Sequence, residues 1–364
     1  WLPLYHDMGL VGFMLVPLTV QVSVDYVATR DFARRPLIWP TLITRYGATL
    51  SFSPTFGYDL CARRLGQGGA ADFDLRTWRG AGIGGDMIQP AVQKRFAEAF
   101  APYGFRAEAF VPSYGMAEAT LAISFSPLDT GVLVDVVDRQ KLATDHEAVP
   151  AADDGGVRTR GFVICGRPLP EHQLQVRDSE GNVLPERRLG NIFVKGPSIM
   201  AGYFNQPEAT RNVLSADGWL DTGDLGYMVD GAIVITGRAK DLIIVNGRNI
   251  WPQDIEWAVE ELPKLRRGDA AAFSIEGPDG EEQVVVLVQC RLTDEAAREE
   301  LRAEVAAAVR RSQALDCTVA LVPPHGLPQT SSGKLSRARA KANYLSGVYP
   351  DRGVPGPVAT AAGT

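Results

Sequence analysis

Two rhythms of apolar and polar positions alternate along the first third of the chain. Short apolar runs such as Thr49-Leu50-Ser51-Phe52 are separated by amphipathic stretches. Over residues 90–100, Val92, Phe96, Ala97 and Phe100 recur at helical spacing. This alternation predicts an α/β layer over residues 1–126. Over residues 161–239 the texture changes to short β-type segments (Gln173-Leu174-Gln175-Val176-Arg177, Asn191-Ile192-Phe193-Val194, Ala232-Ile233-Val234-Ile235). Turns such as Ser179-Glu180-Gly181-Asn182 break them, which predicts a small β subdomain. Past Arg238, a strand pair and two helical patterns, over residues 252–262 and 294–312, predict a compact α+β unit covering residues 240–346. Residues 127–160, with the patch Ala151-Ala152-Asp153-Asp154-Gly155-Gly156, read as a surface insertion containing a loop. The run of Pro, Gly, Ala, Val and Thr that closes the chain lacks periodicity, and residues 347–364 are expected to form a disordered tail.

The most apolar stretch, residues 9–22, is too short to span a bilayer and contains Pro17, so it reads as a buried core element. At 364 residues and 45% hydrophobic content the chain can bury more than one core. A formal net charge of −6 with only short basic runs argues against a nucleic-acid-binding surface. Four cysteines stand far apart without a Cys-x-x-Cys pair, which disfavours a disulfide framework or zinc site and fits a reducing, cytoplasmic setting. The four histidines are equally scattered.

Candidate chemistry sits in five strings: Gly82-Ile83-Gly84-Gly85-Asp86, Ser113-Tyr114-Gly115-Met116-Ala117-Glu118, Thr222-Gly223-Asp224, Gly237-Arg238-Ala239-Lys240-Asp241 and Ser331-Ser332-Gly333-Lys334. A carboxylate at Asp224 can accept both hydroxyls of a ribose, and Arg238 offers a planar fork of donors. The Tyr114 ring offers a stacking face, and Glu118 a carboxylate for a divalent cation. Lys334 lies in a glycine-containing loop that is no Walker A motif, because Pro328 stands where that pattern needs its first glycine.

In this order and spacing the strings resemble the adenylate-forming enzymes, which activate carboxylates with ATP. The resemblance implies an α/β fold with a large N-terminal domain, a small β subdomain and a mobile α+β C-terminal domain. It also implies roles. Lys334 would bridge the carboxylate and the α-phosphate, and Asp224 with Arg238 would hold the ribose. Tyr114, with Gly115 and Met116, would contact adenine, as would Gly84, Gly85 and Asp86, although the family more often shows Gly-Ala-Glu-Pro where this chain has Gly85-Asp86-Met87-Ile88. Glu118 would hold Mg²⁺, and Lys240 would be the hinge on which the small domain turns. His6, in Trp1-Leu2-Pro3-Leu4-Tyr5-His6-Asp7-Met8-Gly9-Leu10, matches a further signature near the acyl and phosphate site; the residues alone leave a packed core histidine equally open.

More narrowly, the chain resembles the C-terminal two-thirds of a fatty acyl-AMP ligase. The string around His6, the string Asn246-Gly247-Arg248-Asn249-Ile250-Trp251-Pro252-Gln253-Asp254-Ile255-Glu256 and the insertion ahead of Cys165-Gly166 carry this resemblance. It implies a fatty acid as substrate, an acyl-adenylate and pyrophosphate as products, and an acyl carrier protein or polyketide synthase carrier domain as acceptor. An acyl-CoA synthetase, or an inactive carrier-binding module, is the rival reading. Carrier proteins of this kind are acidic, so Arg266, Arg267, Arg310, Arg311, Arg337, Arg339 and Lys341 are candidate docking cations. The family's phosphate-binding loop would precede His6. The chain therefore reads as one whose beginning is missing, with weak or no activity expected of the 364 residues alone.

Overall fold

The computed structural model describes residues 1–68, 72–154, 158–277, 281–330, 333–349, 351 and 354–355. Gly155-Gly156 of the acidic patch, Ser331-Ser332 of the lysine string and the remainder of the 347–364 tail lie outside the described residues. Two compact units are present: residues 1–142 with 146–236, and residues 143–145 with 237–364.

In the first unit a five-stranded sheet runs in the order β1 (Leu50–Ser53), β2 (Gly80–Ile83), β3 (Phe110–Gly115), β4 (Ala122–Phe125), with β7 (Arg167–Pro168) at its edge. The first three strands are parallel, as strand–helix–strand connections require, and the helices Thr55–Gly66 and Pro90–Phe100 supply the crossovers. These two helices are cross-linked by a buried carboxylate: Asp59 takes Arg63 at 2.8 Å and Arg95 at 2.7 Å. Between helices and sheet lies an aromatic core. Tyr58 packs edge-on against Phe96 at 5.0 Å and Phe110 at 5.2 Å, and its buried hydroxyl donates to the Gly82 carbonyl at 2.9 Å. A second, antiparallel sheet has the order β11 (Ala232–Arg238), β10 (Leu220–Val229), β9 (Gly190–Lys195), β8 (Gln173–Arg177).

The 127–160 segment, read as an insertion containing a loop, also holds paired strands and buried side chains: β5 (Val134–Asp138) pairs antiparallel with β6 (Thr159–Val163), and Val137, Leu142 and Ala148 are buried. Asp135 accepts Arg187 through both carboxylate oxygens at 3.2 Å and the Tyr227 hydroxyl at 2.8 Å. The acidic patch dominated the composition, while the strand that completes the pair lay beyond it. Residues 9–22 form no core element; a π-turn, Val11–Leu15, joins two short helices, and Leu18 is 66% exposed. Apolar content records a tendency to be covered, and carries no information about what does the covering. In the tail, Asp351 accepts Arg302 at 2.6 Å and Arg298 at 3.4 Å, and β17 (Val354–Pro355) pairs with β16 (Thr318–Val322) through the backbone. Such pairing needs no side-chain periodicity.

The second unit opens with a hairpin, β12 (Ile243–Val245) and β13 (Arg248–Ile250). Its turn residues, Asn246 at φ 51° and Gly247 at φ 74°, both occupy the left-handed region that a type I′ turn demands. Beyond it, β14 (Ala270–Glu276), β15 (Glu282–Gln289), β16 and β17 form one sheet. Its side chains alternate between faces. Ala270, Ala272, Val284, Val286 and Val288 pack with Ile255, Val259, Leu301 and Val305 of the helices Pro252–Glu260 and Glu295–Gln313. Ala271, Phe273, Val285 and Leu287 pack with Ala340 and Tyr344 of the helix Arg337–Leu345. Asp294 caps the longest helix, accepting the Ala297 N–H at 2.8 Å.

The helix Pro252–Glu260 ends on a carboxyl whose titration sets a pH dependence. Glu260 accepts the Gly268 N–H at 2.6 Å, and burial together with the nearby Glu256 carboxylate pushes it up to about 8. A carboxyl held above its unfolded value binds its proton more tightly in the folded chain. Stability therefore falls as pH rises from 4.5 to about 8 and levels off beyond. Thermal unfolding at several pH values should show a shallower slope over that window for Glu260→Gln than for the parent; equal slopes would refute the assignment.

Candidate active site

The carboxyl ends of adjacent parallel strands are where an open α/β sheet binds ligands, and here β2 ends at Ile83 opposite Pro112 of β3, which runs on to Gly115. Gly84 and Gly85 follow β2, and Ser113 Oγ donates to the Ile83 carbonyl at 3.0 Å. A Cβ at Gly84 would lie 2.6 Å from Ser113 Oγ, so glycine is what allows the two strand ends to close up. At the end of β3 the constraint is harsher: a Cβ on Gly115 would stand 1.9 Å from the Leu121 carbonyl oxygen. The chain then makes a single 3₁₀ turn, Ala117–Ala119, passes through Thr120 at φ 66° and returns as β4. Glu118 sits on that turn.

The Thr222-Gly223-Asp224 string forms a bulge in β10. Asp221 pairs with Phe193 and Leu225 with Asn191, so Thr222, Gly223 and Asp224 stand opposite Ile192 alone. The bulge holds itself in shape. Thr222 Oγ1 donates to the Ile192 carbonyl at 2.8 Å and accepts the Asp224 N–H at 3.1 Å, while Gly223, at φ 69°, donates to Asp221 Oδ1 at 2.9 Å. The result is a nearly buried carboxylate, 8% exposed, whose Oδ2 accepts the Tyr114 hydroxyl at 2.7 Å. Two strings 110 residues apart in sequence are thus joined by a charge-assisted hydrogen bond. Tyr114 itself is 7% exposed and belongs to the aromatic core cluster. Adenine stacking on its ring would require neighbouring side chains to withdraw.

Glu118 Oε1 accepts the Tyr203 hydroxyl at 2.8 Å. Nothing in the sequence pattern had singled out Tyr203; its partner lies 85 residues away and no local spacing connects them. Asp86 is exposed, with Oδ1 accepting the Met87 N–H at 2.8 Å, and Met116 is half-buried against the core. His6 lies with Nδ1 2.5 Å from Asp7 Oδ1, a local pair at the start of the helix Asp7–Leu10.

In the second unit, Arg238 ends β11 and is exposed, and Lys240 is exposed on the 3₁₀ turn Ala239–Asp241. Lys334 lies in a loop closed at its base by the Gln329–Leu335 bridge and the Ser336 N–H to Pro328 carbonyl bond at 2.9 Å. Thr330 and Lys334 are joined twice: the Thr330 N–H donates to the Lys334 carbonyl at 2.8 Å, and the Lys334 N–H donates to the side-chain Thr330 Oγ1 at 3.2 Å. Gly333 takes φ 80°. Of the candidate docking cations, Arg337 is mostly covered, its guanidinium spanning Glu256 at 2.7 and 2.6 Å and Asp241 at 3.0 Å, and Arg310 is paired with Asp316. Arg266 and Arg339 are exposed, while Arg267 and Lys341 are half-buried. Among the described residues no cluster of three or more His, Cys, Asp or Glu could hold a metal ion, and no helix is long and apolar enough to cross a membrane.

The family profile described as AMP-binding enzyme matches residues 1–204. The chain belongs to the AMP-binding enzymes. Its fold is accordingly that of the adenylate-forming enzymes. This AMP-binding chain is 56% identical over 352 residues to a putative acyl-CoA synthetase of Caulobacter vibrioides, covering 96% of the chain and 61% of that protein. It is 32% identical over 360 residues to a medium-chain fatty-acid–[acyl-carrier-protein] ligase of Moorena producens, covering 95% of the chain and 60% of that protein. A solved structure from work on fatty acyl-adenylate ligases of E. coli and L. pneumophila superposes with a TM-score of 0.88 at 45% identity, covering 96% of this chain and 62% of that one. The AMP-binding chain thus spans about three-fifths of the length of these relatives.

Proposed function

We propose that this chain carries the nucleotide-holding strand ends and the small C-terminal domain of an enzyme that joins a fatty acid to AMP. A carboxylate oxygen of the fatty acid attacks the α-phosphorus of Mg-ATP, the bond to the bridging oxygen breaks, and pyrophosphate leaves. The phosphopantetheine thiol of an acyl carrier protein or polyketide synthase carrier domain then attacks the acyl carbonyl, and AMP leaves.

The observation that carries this reading is the Tyr114–Asp224 bond, 2.7 Å long and buried, beside the carboxyl ends of parallel strands. The bond fixes the direction of a nearly buried carboxylate whose oxygens are acceptors of the kind that the paired hydroxyls of a ribose would meet. Glu118 faces the magnesium ion that arrives with the nucleotide as part of the substrate. Arg238 adds donors to ribose or phosphate, and Lys334 holds the reacting carboxylate and the α-phosphate together against their mutual repulsion. Lys240 lies on the turn where changed backbone torsions re-aim the small domain between the two half-reactions. Gly84, Gly85, Asp86, Gly115 and Met116 shape the adenine side, and His6 belongs to the acyl and phosphate side. A cytoplasmic setting accords with four free, buried cysteines.

One test separates the acceptors. The whole protein that carries this chain is incubated with ATP, Mg²⁺ and a medium- or long-chain fatty acid, and coenzyme A or a holo carrier protein is then offered. Acyl-adenylate that persists with coenzyme A and is consumed by the carrier is the expected result. The second reading, an acyl-CoA synthetase, is favoured by the name of the 56%-identical relative and predicts acyl-CoA instead. An absence of any adenylate would overturn both.

A further inference from the structure

We propose that Tyr203 is a positioning residue for Glu118, aiming its carboxylate at the divalent cation that accompanies the nucleotide. The inference rests on the reading of Glu118 as a cation-facing carboxylate and says how that group is held ready.

Glutamate has three side-chain torsions and loses up to about 2 kcal/mol of rotamer freedom when fixed. The 3₁₀ turn Ala117–Ala119 is too short to restrain it through its own helix. Restraint comes from the segment after β9. Ser198 accepts Thr120 Oγ1 at its carbonyl, 2.8 Å away, and the Met200 N–H donates to the Glu118 carbonyl at 2.8 Å. His172 Nε2 meets Ser198 Oγ at 2.7 Å and anchors the segment from the other side. These contacts hold the two backbones beside each other. The Tyr203 phenol adds what they cannot supply, a direction for the carboxylate itself, and it takes Oε1 alone. Among the described residues Oε2 has no hydrogen-bond partner.

Tyr203 is in turn well fixed. Its N–H donates to Thr210 Oγ1 at 2.9 Å, and that hydroxyl donates to the Gln206 carbonyl at 2.9 Å in the first turn of the helix Pro207–Val213. Gly202 before it takes φ 150°, and a Cβ there would meet Thr210 Cγ2 at 2.8 Å. Tyrosine carries few torsions of its own, so a fixed backbone fixes the hydroxyl.

Three variants of the whole protein test this: Tyr203→Phe, which removes one hydroxyl, Glu118→Gln, and the double variant. Cation affinity is read without turnover, from Mn²⁺ binding to the ATP complex by paramagnetic resonance, and again from the Mg²⁺ concentration that half-saturates pyrophosphate release. Tyr203→Phe should weaken cation binding about tenfold, the effect of losing a hydrogen bond to a charged group. Its unfolding temperature should stay within about 2 °C of the parent. Added to Glu118→Gln, it should change cation affinity no further, since its effect passes through that carboxylate. Unchanged affinity in Tyr203→Phe, or an equal further loss in the double variant, would overturn the proposal while leaving Glu118 in place. Unchanged affinity in Glu118→Gln would remove the reading of Glu118, and the proposal with it.

Discussion

Lys334→Ala should lower the rate of acyl-adenylate formation by about 10²–10³-fold, the usual loss when one preorganised charge at a developing transition state is removed. The loop around it supports a clean test. Its shape depends on the Thr330 N–H to Lys334 carbonyl bond, the Lys334 N–H to Thr330 Oγ1 bond and the Gln329–Leu335 bridge, none of which uses the lysine side chain. Alanine therefore keeps the loop and deletes the charge. Transfer of the acyl group from separately supplied acyl-adenylate does not bring two anions together at the α-phosphate, so it should continue at close to the parent rate. Mass analysis of both half-reactions checks this; equal losses in both, or an adenylation rate within threefold of the parent, would remove Lys334 from the role.

Arg337→Met should destabilise the C-terminal unit by about 3–5 kcal/mol, because it leaves a buried carboxylate without its counter-charge. Glu256 is 5% exposed and receives two guanidinium donors from Arg337 as well as the Ala272 N–H at 3.0 Å. Methionine fills the volume but offers no donor. Pairing it with Glu256→Leu should recover much of the loss, since replacing both partners removes the uncompensated charge along with the attraction. Denaturant unfolding of the parent, the single and the double variants measures the cycle. A single-variant loss under about 1 kcal/mol would show that water reaches the pair and screens it. The same guanidinium holds Asp241, next to Lys240, and belongs to the residue three places after Lys334. The turn carrying Lys240 and the loop carrying Lys334 are therefore both linked to this one guanidinium.

Legibility in the sequence followed the range of the interactions. Elements written in local spacing were readable: the helix Pro90–Phe100 from its apolar recurrence, the helices Pro252–Glu260 and Glu295–Gln313, and the strands β8, β9 and β11 from their β-rich runs and turn residues. The glycine and carboxylate strings could be picked out because each needs a fixed residue type at a fixed offset, as the crowding at Gly84 and Gly115 shows. What depended on distant partners was not readable. Arg337 reads as a surface cation, and only its partners Glu256, 81 residues earlier, and Asp241 draw it under cover. Tyr203 reads as an ordinary turn residue until Glu118 is brought to it. The β5–β6 pair spans an acidic stretch whose composition suggests a loop, and the apolar run over residues 9–22 gave a preference for burial with no indication of a partner surface.

The backbone pairing of Val354–Pro355 with β16 has a practical consequence for anyone shortening the protein. A tail that looks dispensable by composition invites removal after Leu345. That cut would uncover the backbone edge at Thr318 and Val319, the two residues of the buried strand Thr318–Val322 that pair with Pro355 and Val354. Exposed strands of this kind recruit further strands from neighbouring molecules. Val354–Pro355 thus cover part of an edge, and a chain cut after Leu345 should associate with itself more readily than the parent.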